Sequence, residues 1–169
     1  MNSNKINELS KTIHANNVTA GWWPENRCLF EVIQLVSTEI SEATEGERKD
    51  LMDDKLPHRK MGEVELADAF IRMLDFGGYI GLKHRFNSLV VTAGQRAAFY
   101  DYHINSNLFA SYPEDMTNMN YSAVIDCILD AGRYLNYDII GAMTEKLEYN
   151  KTREDHKIEN RMKEGGKKF

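Results

Sequence analysis

Proline is scarce in this 169-residue chain, with only Pro24, Pro57 and Pro113. Proline breaks helix interiors, so its scarcity leaves long stretches free to be helical. Cysteine is scarcer still. Cys28 and Cys127 form neither a C-x-x-C pair nor a disulfide framework. Their apolar neighbours (Leu29 and Phe30; Ile125 and Ile128) predict two buried free thiols in a reducing compartment. No apolar run approaches the ~20 residues that a membrane span needs, and no basic-then-apolar leader opens the chain. The expectation is a cytoplasmic protein without a membrane partner. A net charge of −5 supplies no general affinity for nucleic acid. The absence of a Gly-x-x-x-x-Gly-Lys loop excludes a P-loop ATPase. None of the five histidines follows a glutamate by three residues, which argues against a di-iron carboxylate bundle.

What is present reads as one all-α domain over residues 1–169. Ile6, Leu9 and Ile13 recur at helical spacing and predict a helix over 4–16, with Ser3 as N-cap. Residues 17–25 read as a loop, marked by Gly21 and Pro24 and carrying the adjacent Trp22 and Trp23. A second helix is expected over 26–49, then a polar connection around Pro57. A third is expected over 62–83, where Gly77, Gly78 and Gly81 either weaken its end or permit close packing. Residues 84–120 read as an insertion, with a short helix over 95–105 and a loop over 111–120. A long helix is expected over 121–150, bent near Gly132 or Gly141, followed by a charged tail over 151–169.

Two carboxylate pairs stand out, Glu39 with Glu42 and Glu65 with Asp68. Each has i, i+3 spacing, which puts both acids on one face of a helix. On the second predicted helix, Cys28, Val32 and Leu35 run into Glu39 and Glu42 along one row. A solvated face would be polar throughout, so acids that continue an apolar stripe point to an internal polar site. Folding the second and third helices as an antiparallel hairpin would gather all four acids. Four negative charges so close need protons or a cation, and oxygen-only ligands favour Mg²⁺ or Mn²⁺.

At these motifs, Glu39-Ile40-Ser41-Glu42 and Glu65-Leu66-Ala67-Asp68, the chain resembles the MazG-like all-α nucleoside triphosphate pyrophosphohydrolases, phage members especially. Thr38 stands where many members carry another glutamate. The resemblance covers 21–81 and 141–169, including the segment EKLEYNKTREDHKIENRMKEGGKKF; nothing transfers to 84–120. It implies a helical bundle that oligomerises as a homodimer or homotetramer. It also implies hydrolysis of a nucleoside triphosphate between its α and β phosphates, with a tilt toward dATP or dGTP. In this reading Glu39, Glu42, Glu65 and Asp68 hold the metal, and Glu39 takes the proton from the attacking water.

The pyrophosphate needs cations and amide donors. Lys146, Asn150 and Arg153 share a face at i, i+4 and i+7 if the last helix runs through them, which makes them the phosphate candidates. Arg48, Lys49, Lys167 and Lys168 stand behind them. Trp22, Trp23 and Tyr149 are the candidates for stacking on a base. Two other readings stay open: a dUTPase- or dCTPase-type pyrimidine hydrolase, and a nucleotide-binding oligomerisation module without turnover.

Overall fold

In the computed structural model, which describes residues 1–23, 27–85, 104 and 116–167, the chain is all-helical. The described helices are α1 (Ser3–Thr19), α2 (Leu29–Lys49), α3 (Met61–Ile80), α4 (Asn118–Tyr134), α5 (Ile139–Thr152) and α6 (Ile158–Arg161). A 3-10 turn, Glu154–His156, precedes α6. The β-type pairing among the described residues is one bridge between Met52 and Lys60. No described helix is long and apolar enough to cross a membrane.

The core is organised around α3. Val64, Ala67, Ala69, Phe70, Met73, Leu74 and Phe76 are completely buried, pointing to different sides of the helix. A helix apolar around its circumference must be surrounded, and α1, α2, α4 and α5 all pack on α3. Each large apolar side chain so buried contributes about 1.5–3 kcal/mol.

The pairing of α2 with α3 positions the acids. Gly46, near the end of α2, lies against the first turn of α3; a Cβ there would come within 2.9 Å of the Gly62 backbone nitrogen. Glu39, two turns earlier on α2, meets Arg72, nearly three turns later on α3. The two helices therefore run antiparallel at close range. Gly46→Val should separate them and cost roughly 1–3 kcal/mol. Urea unfolding with an unchanged m-value would register the loss.

Several boundaries differ from the sequence reading. Asn2, rather than Ser3, caps α1, its side chain accepting from the Lys5 backbone N–H. α1 also runs on to Thr19. Gly77 and Gly78 are points of close helix approach, to Tyr121 and to His14, while Gly81, at φ 81°, ends α3. The expected helix over 121–150 is two helices, and the break falls at neither Gly132 nor Gly141. It lies between them, where Asn136 adopts the left-handed conformation (φ 58°) and the Asp138 side chain caps α5. Asn tolerates that conformation and Asp is a strong N-cap. Cys127 is buried, its thiol pushed up to about 11 by desolvation and by Asp126. Cys28 is exposed, contrary to expectation, because it sits at the N-cap of α2 outside the packed turns. The helix expected over 95–105 lies outside the described residues apart from Ile104. At the start of the expected insertion, His84 is buried. Its ring nitrogens meet Ser3 Oγ and Asp126 Oδ1, each at 2.9 Å.

Candidate metal centre and its cleft

α2 and α3 bring the carboxylates together. One oxygen each from Glu39, Glu42 and Glu65 lies within 4.8 Å of the others. Glu39 and Glu65 are buried, and Glu42 is exposed at the rim. Asp68, one turn beyond Glu65, turns its Oδ2 to the Lys146 ammonium at 2.6 Å. The Arg72 Nε donates to Glu39 Oε1 at 2.6 Å. Two cations from α3 and α5 thus partly offset four acids.

The remaining charge shows in the acidities. Burial first, then Asp68 and Glu39, push the Glu65 carboxyl up to about 9. Burial raises Asp68 to about 6 even though Lys146 pulls it down. Lost hydration and the neighbouring Glu39 raise Glu42. Without a metal the cluster therefore retains a proton on Glu65 at neutral pH. Hard oxygen donors, net negative charge and a rim open to solvent fit Mg²⁺ or Mn²⁺.

This has a consequence for stability. Glu65 in the folded chain binds its proton more tightly than the ordinary carboxyl value of 4.5. The folded state is then favoured at low pH, and its stability falls as pH rises from about 4.5 to about 9, by at most about 1.4 kcal/mol per pH unit from this group. Urea midpoints in EDTA between pH 5 and 9 should decline accordingly. Glu65→Gln should flatten that decline.

Beside the cluster opens a cleft of about 910 Å³. Asp68, Ile71, Arg72 and Asp75 of α3 line it, with the end of α1, Trp22 and Arg27 on one side and the end of α5 and the tail on the other. Asp75 is fully engaged, accepting from Trp23 Nε1 and Asn17 Nδ2 and pairing with His14 Nδ1.

The other sequence candidates divide. Trp22, Asn150, Arg153 and Lys167 line the cleft. Arg153 does so from outside the helix, because α5 ends at Thr152 and Arg153 is its extended C-cap. The i+7 relation to Lys146 therefore does not hold; Asp155 instead anchors Arg153 at 2.6 Å. Lys146 is only 5% exposed and is committed to Asp68. Lys49 pairs with Glu45 at the exposed end of α2, and Arg48 binds the same acid. Trp23 is packed between Tyr79, stacked at 4.2 Å, and the Arg27 guanidinium at 4.5 Å. Both faces being taken, it offers none to a base. Tyr149 does not line the cleft; the Arg153 guanidinium lies 5.9 Å from its ring centroid. Lys168 lies outside the described residues. His156 is half-buried in the cleft wall. Desolvation and Arg153 lower it to about 4, so it is neutral.

Sequence reasoning missed a second charged network. Arg59 binds Glu63 and Glu145, both at 2.8 Å, and Glu63 accepts from the Asp138 backbone N–H at 2.7 Å. This ties the start of α5, hence Lys146, to the start of α3. It missed Arg161 as well. No local periodicity signals partners 75 to 141 residues apart. No protein-family model matches the chain, and neither a curated protein nor a solved structure matches it.

Proposed function

We propose that the protein is a divalent-metal-dependent nucleoside triphosphate pyrophosphohydrolase of the MazG type. In this reading it cleaves a purine deoxynucleoside triphosphate, dGTP or dATP, to its monophosphate and pyrophosphate. The observation that carries it is the convergence of Glu39, Glu42 and Glu65 within 4.8 Å, beside a cleft of nucleotide size that contains Asp68, Arg153 and Trp22.

Glu39, Glu42, Glu65 and Asp68 would hold Mg²⁺ or Mn²⁺, whose positive charge neutralises phosphate oxygens and acidifies water. Arg72 fixes one oxygen of Glu39 and leaves the other for the metal or for the proton of the attacking water. Lys146 holds Asp68 in place and adds positive potential below the phosphates. Arg153 and Asn150 supply donors to the polyphosphate from the opposite wall, the arginine fork matching phosphate geometry. Trp22 stacks on the base. Oligomerisation as a homodimer or homotetramer belongs to the same proposal.

The test is pyrophosphate release from a panel of ribo- and deoxynucleoside triphosphates, with Mg²⁺ and with EDTA. Metal-dependent release favouring dGTP or dATP is expected. Preference for dUTP or dCTP would replace the purine assignment with a pyrimidine one. No release from any triphosphate would leave a nucleotide-binding module.

A further inference from the structure

Residues 154–161 of the tail pack back on the body of the chain. The turn Glu154–His156 and helix α6 lie across the end of the cleft against the α1–α2 loop. Arg161 makes the attachment. Its Nη1 donates to the Ala20 carbonyl at 3.1 Å and its Nη2 to the Gly21 carbonyl at 2.9 Å. Its guanidinium carbon stands 3.6 Å from the centroid of the Trp22 ring. The His156 ring meets Trp22 edge-on at 5.1 Å. Ile158 seats on Gly21, where an added Cβ would come within 3.0 Å of it.

These contacts hold the indole of Trp22, whose backbone is fixed by the Asn17 carbonyl and the Arg27 guanidinium. An exposed tryptophan in a loop samples several rotamers, and stacking on it costs the entropy of freezing it. Two carbonyls fix the Arg161 fork, and the fork covers one ring face by a cation–π contact. The ring lines the cleft, and a flat ligand would stack on the face that Arg161 leaves. Trp22 and His156 are the aromatic rings that line the cleft among the described residues.

We propose that Arg161 is a positioning residue for the nucleobase. It clasps the tail to the α1–α2 loop and presents Trp22 for stacking, and it takes no part in phosphate binding or in chemistry. This rests on the reading of the cleft as a nucleotide site. It makes the tail a wall of the base subsite, so a base-bearing ligand feels its loss and a base-free polyphosphate does not.

The experiment compares wild type with Arg161→Ala and Arg161→Gln, the latter keeping a donor for the loop carbonyls without a cation on the ring. Steady-state pyrophosphate release from dGTP and dATP is measured with inorganic tripolyphosphate as competitor. In parallel, Trp22 fluorescence is titrated with dGMP, a readout that needs no turnover; Trp22→Phe defines the signal. A loss of cation–π and ordering energy corresponds to a KM rise of about tenfold in both variants. The tripolyphosphate inhibition constant and kcat should stay within about twofold. dGMP quenching should weaken in parallel with the KM change.

An unchanged KM would overturn the assignment. So would an equal loss for dNTP and tripolyphosphate, which would place Arg161 among the phosphate ligands. If wild type binds dGMP with Arg161-dependent quenching but releases no pyrophosphate, the hydrolase reading fails and the base subsite stands.

Discussion

Glu42→Gln will lower metal-dependent pyrophosphate release roughly 10²- to 10⁴-fold while leaving the fold intact. Gln keeps the size and hydrogen-bonding shape of Glu but lacks the anionic oxygens a hard cation needs. Glu42 is the acid of the cluster at the solvent rim, so its replacement disturbs no buried packing. Its carboxyl is already raised by lost hydration and by Glu39. Removing that charge should therefore raise the melting temperature in EDTA while catalysis collapses. Opposite signs for stability and activity are the mark of a site strained for function. A coupled pyrophosphate assay and thermal melts with and without Mg²⁺ read both. Normal turnover by this variant would remove Glu42 from the ligand set.

Lys146→Met will have the largest effect on stability. The ammonium is buried on Asp68 at 2.6 Å, within the field of Glu65. Methionine fills the space of the stem but leaves Asp68 without its partner. Breaking a buried pair from one side costs about 3–5 kcal/mol, a large part of a typical domain's stability. The sign with pH follows from the acids. Asp68 already titrates near 6 with Lys146 beside it, and without that cation it will titrate higher. The variant should therefore be least stable above neutrality and recover toward pH 5, where protons replace the missing charge. Mg²⁺ should also restore part of the loss, by binding the folded state alone. Denaturation midpoints at pH 5 and pH 8, in EDTA and in Mg²⁺, provide the check. Equal destabilisation under all four conditions would reduce Lys146 to a packing residue.

The helices were largely legible because their signal is local. Ile6 and Ile13 repeat at the helical period and are buried, as is Val32 in the row that leads to Glu39. Glu39 and Glu42 were legible because acids continuing an apolar stripe break the ordinary pattern of a solvated face. The charged partners were another matter. Helical spacing placed Lys146 and Asn150 on α5 but did not say what that face meets; it meets Asp68. Arg153 was aligned with them on the assumption that α5 continues, yet the helix ends at Thr152. The two tryptophans are equivalent as letters. Only packing separates Trp23, closed in by Tyr79 and Arg27, from Trp22 in the cleft wall.

By itself, the sequence determined that the chain is helical, where most of its apolar stripes lie, and that two acid pairs each share a helix face. Those properties depend on residues three or four apart on one element. The tertiary structure decided that three of the four acids meet, which cations temper them, and which aromatic ring lines the cleft. Those depend on contacts between residues up to 141 positions apart, where burial and charge pairing are settled by the packing of whole helices.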